Sequence, residues 1–484
     1  MARLHTLACG SLRTMRLCAR TVSLTLFVSF VDVAIGANGP YLVKDINPTS
    51  YSMPTYLTKV GNRLFFNASD GVHGPELWVS DGTEAGTYMV IDLIPGPAGS
   101  NPQVLIDVNG RCFFQGVNSS SGLDLYVSDG TASGTHFVVN ATNYAVVPMA
   151  ALGDLVMFVR KESGSESLWK SNGTPQGTGL VKSMDVNQME PIGNLLYIAG
   201  VANGEVIPGF DLWRSDATLQ GTYLLADLRG TIWVTEAGET IFFQGDLSAT
   251  GRELWSTDGT PNGTHLVKDI YTGAGHSEPV ELTDVAGTLF FTAFTPALGR
   301  ELWKSAGTEQ GTVLVKDVNP SGNPWAPTEL TNMEGTLIFR AYDPALGWQV
   351  WKSDGTEAGT VLVKTIAPPD VTDYPRYFTY ANGKVYFEGS DGIHGAEPWV
   401  TDGTAEGTFM VADVNPGPAG SGFEPTLVGS LLFFMGGNNS TGAELWALDT
   451  TPPLIPAVSG YGITAITILI LTCGTLVIAR RSTT

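Results

Sequence analysis

Between residues 54 and 449 the chain alternates short apolar stretches with polar breaks rich in Gly, Asn and Asp, and the stretches recur in a fixed order. In the first full unit PTYLTKVG (54–61) comes first. A tight turn leads to NRLFFNA (62–68), a variable polar loop leads to ELWVS (76–80), and DGTEAGT leads into YMVIDL (88–93). The spacing predicts four strands per unit. The turn between the first two pieces recurs nine times, as VGNR, VNGR, LGDL, IGNL, EAGE, VAGT, MEGT, ANGK and VGSL. Gly and Asn supply positive φ there, as a two-residue hairpin requires. The pieces after it (LFF, CFF, LVMF, LLYI, IFF, LFF, LIF, VYF, LLFF) are continuous apolar runs, which suit strands covered on both faces by packed sheets.

The third piece carries the period. Aligned on Trp78, Tyr126, Trp169, Trp213, Trp255, Trp303, Trp351, Trp399 and Trp446, the unit repeats every 42 to 48 residues. Four short strands in such a period predict a propeller blade. The array opens with YLVKDINP (41–48), a fourth strand without its first three, and ends with ELWALDTTPP (444–453), a third strand without a fourth. The N-terminal strand is therefore expected to complete the last blade and close the ring, which hides the sheet edges. The predicted fold is all-β, a single propeller of about nine four-stranded blades, with an open β-solenoid as the alternative.

The repeated phrase SDGTEAGT reads as turn chemistry. Ser80 and Asp81 are placed to cap backbone N–H groups, and Gly82 takes a conformation that other residues resist. The same structural role is expected of Asp129 and Gly130, Asp258 and Gly259, Asp354 and Gly355, and Asp402 and Gly403. A lone Asp–Gly lacks the ligand count that calcium needs.

The ends differ from the middle. Residues 1–37 combine four arginines with the apolar run TVSLTLFVSFVDVAIGA and read as a secretory signal peptide. Residues 38–450 are the repeat domain and 451–460 a linker. The uncharged stretch 461–479 is long enough to span a bilayer as a helix, and Arg480 and Arg481 open a basic tail, 480–484, expected on the cytoplasmic side. Without the signal and the tail arginines the net charge moves from −21 to −26, six Arg and one Asp being removed. So acidic a body excludes nucleic acid as a partner, since phosphate binding needs clustered Lys and Arg. Of four cysteines only Cys112 lies in the body, so no intrachain disulfide is expected there, and Cys112 reads as a core residue.

These residues resemble the bacterial ELWxxDGT repeat family across 41–447. Tyr126 stands for Trp, Asn172 and Ala306 for Asp, and Ala217 for Gly. The resemblance implies a secreted or surface-attached protein and carries over no catalytic residue. The DG turns are similar to the Asp-box turns of sialidase blades, which are structural. IPAVSGYG (455–462), the apolar run and RR are similar to the IPTL-type C-terminal sorting tails of Gram-negative bacteria, with Ala457-Val458 in place of Thr-Leu and Tyr461 in place of Trp. That similarity implies a span that is clipped after sorting.

Loops after the second and fourth strands vary, whereas turns after the first and third repeat closely. Variable loops on one face of a fixed frame suit a binding platform. On that face SDGVHG and SDGIHG pair Asp70 with His73 and Asp391 with His394, as candidate metal ligands or as plain turns. Trp325 and Trp348 are expected in loops, outside the Trp register, as candidate sugar-stacking aromatics or as packing beneath a loop. The Glu before the Trp recurs as Glu76, Glu253, Glu301, Glu397 and Glu444, with Asp124 and Asp211 in weaker copies, and is expected to pair with Lys of the neighbouring VKD strand or to bond a backbone turn. HExxH, P-loop, CxxC and GxSxG patterns do not occur in a usable context, and the body is poor in arginine, with Arg252, Arg300, Arg340 and Arg376 in different units, against a sialidase-like reaction. The function expected is binding or adhesion at the cell surface, toward a glycan or protein partner, with the membrane reached through the C-terminal helix. No cofactor is required, and calcium is the alternative to none. A secreted glycan hydrolase and a passive surface or matrix component are the competing readings.

Overall fold

The computed structural model describes residues 39–452 except 118–121, 143–148, 163–164, 203–208, 321–325, 367, 369–374 and 439. Trp325, residues 1–37 with the expected signal peptide, and the apolar stretch 461–479 fall outside these residues. No helix among the described residues is long and apolar enough to cross a membrane.

Nine four-stranded antiparallel sheets follow one another along the chain, each paired in the order first, second, third, fourth strand. The last sheet takes its fourth strand from the N-terminus: Tyr41–Lys44 pairs with Gly442–Asp449, with Leu42 opposite Trp446. Each first strand contacts the first strand of the next blade, and Thr426–Val428 of blade 9 contacts Thr55–Val60 of blade 1. The ring is closed, as the incomplete units at the two ends of the sequence predict.

The apolar second strands are the reason the sheets stack. In Arg63–Ser69 five consecutive residues, Leu64 to Ala68, are buried, and the pattern repeats in Arg111–Val117 and Thr240–Leu247. Alternate side chains face opposite neighbours, so one strand fills two inter-blade layers. Leu64 and Phe66 pack toward blade 9, and Phe65 toward blade 2. Full burial of each Phe contributes roughly 2–3 kcal/mol. The phrase tryptophan lies across from such a Phe: Phe66 faces Trp78 in register, with ring centroids 6.4 Å apart. Cys112 sits in this layer with no exposure, and burial raises its thiol pKa, which removes nucleophilic character.

Polar stitches join the blades on the outer side. Lys44 Nζ donates to the Thr87 carbonyl at 2.7 Å, and Lys268, Lys316 and Lys364 repeat the bond to Thr312, Thr360 and Thr408 of the following blade. The N-terminal strand therefore completes blade 9 and also ties it to blade 1.

Candidate functional site

The repeated phrase is consumed internally. Asp81 Oδ1 accepts from the backbone N–H and the hydroxyl of Thr83, at 2.9 and 2.8 Å, which lowers its pKa. Gly82 has φ +92° and donates its N–H to Ser80 Oγ. The Ser80 and Thr87 hydroxyls share a buried bond of 2.7 Å. The second Gly has a separate reason: a Cβ at Gly86 would lie 2.0 Å from the Asp81 carboxylate, which folds over it. Asp129, Asp258, Asp354 and Asp402 make the same bonds, with Gly130, Gly259, Gly355 and Gly403 at positive φ.

The glutamate of the phrase is a clasp for the loop that leads from the fourth strand to the next blade. Glu397 Oε2 accepts from Val414 N at 2.9 Å and from Ser421 Oγ at 2.7 Å, while Oε1 accepts from Ser421 N. Glu444 does the same for Ile46 and Ser52, Glu253 for Ile270 and Ser277, and Glu76 for Ile94 and Ser100. Of the two roles expected for this residue the backbone turn is the one found, and the strand lysines go to the Thr carbonyls instead. Burial raises the pKa of Glu76, Glu253, Glu397 and Glu444, and that of Glu301, which accepts from Val318 N, to about 7.

The two His–Asp turns are alike. Asp70 Oδ1 accepts from Val72 N and His73 N, and Oδ2 lies 2.7 Å from His73 Nδ1. Asp391 and His394 repeat these bonds. Each imidazole is partly exposed, and its bond to Asp raises its pKa. Burial acts to raise the Asp70 and Asp391 pKa values, but the bonds from the His and its neighbours outweigh it and the net shift is downward. Among the described residues no group of three or more His, Cys, Asp or Glu is arranged to hold a metal ion.

Trp348 is not in a loop. It belongs to the third strand of blade 7, Gly347–Ser353, opposite Tyr342, with ring centroids 5.7 Å apart and the Arg340 guanidinium 4.8 Å above it. A longer hairpin, reaching down to the turn at Pro344–Leu346, draws it into the sheet. Arg252 and Arg300, from adjacent blades, meet on Glu278 as an ion-paired strap, and Arg252 also lines a small cavity with Arg229 and His276.

The inner strands hold residues that the sequence reading passed over. Six of them carry a bulge near their start, where a non-Gly residue sits at φ 51° to 60°: Tyr56, Val104, Trp233, Glu281, Glu329 and Tyr377. In four of them the Thr two residues on supports the bend by donating its hydroxyl to the bulge carbonyl, as when Thr58 Oγ1 donates to the Tyr56 carbonyl at 2.8 Å. These residues line the channel where the ring of inner strands opens toward the variable loops. On one arc they hold the ring together: Glu281 Oε2 accepts from Leu330 N, and Glu329 Oε2 from Phe378 N. On the arc through blades 8, 9 and 1 they are open to solvent, with Tyr56 47% and Tyr377 36% exposed.

A cavity of about 480 Å³ occupies that arc, lined by Tyr56, Arg376, Tyr377, Glu388, Glu424 and Met435 among others. It exists because the inner strand of blade 9 is only Thr426–Val428, where its neighbours Arg376–Ala381 and Thr55–Val60 have six residues. Arg376 Nε is ion-paired with Glu388 Oε1, and Glu388 Oε2 accepts from Phe423 N at 2.7 Å. The clasps of Glu397 and Glu444 hold the loops that lead into Phe423 and Tyr56, so the phrase positions this cavity without entering it. A sequence signal was present: Pro54-Thr-Tyr56 and Pro375-Arg-Tyr377 stand where other units have Pro279-Val-Glu281 and Pro327-Thr-Glu329.

No family model and no curated protein matches this chain. Among solved structures, a prolyl endopeptidase is similar with 11% identity and a TM-score of 0.41, over 74% of this chain and 55% of that one. The acylaminoacyl peptidase of Pyrococcus horikoshii is similar with 12% identity and a TM-score of 0.36, over 72% and 59% of the two chains. A puromycin hydrolase gives 13% identity and 0.36, over 72% and 60%. The matched region thus spans 55 to 60% of the length of those chains.

Proposed function

We propose that this chain is an exported, surface-attached protein of the ELWxxDGT repeat type, whose propeller is a binding or adhesion platform for glycan or protein ligands. The observation that carries the reading is a division of labour. The recurring residues spend their hydrogen bonds inside the fold, whereas the open cavity with exposed aromatics lies on the face of variable loops. The basic, apolar start and the apolar, basic end support export and attachment.

The test is binding of the full chain to panels of surface polysaccharides and cell-surface proteins, with calcium and with chelator. Saturable binding supports the platform. Loss of binding in chelator makes calcium part of it and directs mutation to Asp70, His73, Asp391 and His394. Release of new reducing ends would replace the platform by a hydrolase. Absence of binding to both panels would refute the proposal and leave a passive surface component.

A further inference from the structure

We infer that the cavity at the channel mouth between blades 8, 9 and 1 binds a saccharide, taking an uncharged pyranose unit against the rings of Tyr56 and Tyr377. This deepens the platform reading and rests on it.

Four features lead there. The first is size: about 480 Å³ falls within the ~300–1,000 Å³ of small-molecule sites. Second, both tyrosines are partly exposed at the wall, Tyr377 with Arg376 over one ring face, although each sits in a left-handed conformation that glycine would adopt more readily. The apolar face of a sugar ring packs on such a surface while the phenol hydroxyl remains available for bonding. Third, the polar groups are fixed. Glu388 is held by Arg376 and by the Phe423 N–H, so it faces the cavity with little freedom left to lose, and Glu424 is exposed at the rim. A carboxylate and a guanidinium side by side suit the paired hydroxyls of a pyranose.

The fourth is charge, which narrows the class. Two carboxylates against one guanidinium leave the lining net negative, which disfavours uronic and sialic acids. A cationic ligand meets a different obstacle: the Arg376 guanidinium already lies over the Tyr377 ring, 5.2 Å from its centroid, so an ammonium there would face a like charge. Uncharged sugars incur neither cost.

The experiment is calorimetric titration of the full chain, in a detergent without a sugar headgroup, with uncharged oligosaccharides (gluco-, manno- and N-acetylchito-oligomers) and with an oligogalacturonate. Variants are Y56A, Y377A, Y56F and, on another arc of the channel, W233A, each checked for an unchanged circular-dichroism spectrum. The expected result is binding of at least one uncharged series, weakened tenfold or more by Y56A and Y377A, and changed less than threefold by Y56F and W233A. Binding that ignores Y56A and Y377A, or that W233A weakens equally, overturns the cavity and leaves the platform standing. Preference for the oligogalacturonate overturns the charge class. Binding to a surface protein with no saccharide bound overturns the inference alone; binding to neither removes the platform as well.

Discussion

Replacing Glu301 by Gln should make the protein more stable at pH 8 while leaving it nearly unchanged at pH 4. Glu301 is 1% exposed, and its Oε2 accepts from Val318 N at 2.7 Å. Burial lifts its pKa from 4.5 to about 7, with Asp317 adding to the shift. Between those values the folded protein holds a proton that the unfolded chain has released. The stability linked to that proton is complete below pH 4.5 and is lost as pH rises through about 7. At ~1.4 kcal/mol per unit the whole shift amounts to roughly 3 kcal/mol across that window. Gln carries no charge to desolvate and keeps a carbonyl for Val318 N. Blade 7 already shows the arrangement: Gln349, at the same place in its phrase, accepts from Ile366 N at 2.8 Å and donates to the Leu346 carbonyl at 2.6 Å. The residues before both positions read Pro-Ala-Leu-Gly, at 296–299 and 344–347, so the Leu298 carbonyl stands ready for the new amide. The assay is urea unfolding followed by tryptophan fluorescence at pH 4 and pH 8, comparing midpoints at equal slope. E301Q should gain about 2–3 kcal/mol over the wild type at pH 8 and less than about 0.5 at pH 4. E301A, which strands the Val318 N–H, should lose about 1–3 kcal/mol at pH 4, where the wild-type carboxyl is neutral. A variant E301Q that is less stable than the wild type at both pH values, or that keeps the wild-type pH slope, would refute the account.

Three further outcomes follow from the same geometry. G86A should destabilise by about 1–3 kcal/mol, because its Cβ meets the Asp81 carboxylate at 2.0 Å. G311A should cost less, since Ala306 replaces the Asp there and the nearest atom is the Thr308 hydroxyl at 2.8 Å; thermal unfolding of the pair decides it. In NMR titrations His73 and His394 should have midpoints above 6.5, and D70N should lower that of His73 alone. The stabilising His73–Asp70 charge pair is complete below pH 6.5 and fades as pH rises through the elevated midpoint, so an unshifted midpoint would show that the bond does not persist in solution. Deleting Tyr41–Lys44 removes both the fourth strand of blade 9 and the Lys44 bond to Thr87, leaving Gly442–Asp449 as a bare edge. The shortened chain should aggregate on size-exclusion chromatography, and a monodisperse product of wild-type melting temperature would contradict the closure.

What the sequence determined by itself is whatever neighbouring residues decide among themselves. The hairpin glycines, the SDGTEAGT turn and the apolar second strands are local matters, in which bond partners lie two to seven residues apart. Nine copies in register are enough to predict nine blades, and the unmatched pieces at each end predict the closure. The clasp was half legible: a Glu recurring ahead of five of the Trp pointed to a partner, but its loop lies 17 to 24 residues on and only folding selects it over the lysines. Trp348 was misplaced because its hairpin is longer than the repeat suggests. At the channel mouth the sequence marks only two Tyr where other units have Glu, and their meeting belongs to the tertiary structure. Tyr56 and Tyr377 stand more than three hundred residues apart, in strands that pair with their own blades and not with each other. They share a cavity because ring closure sets blade 1 beside blade 9, and because the short inner strand of blade 9 leaves the space between them unfilled. Contacts made by closing a circle have no period along the chain, so a reading based on period does not see them.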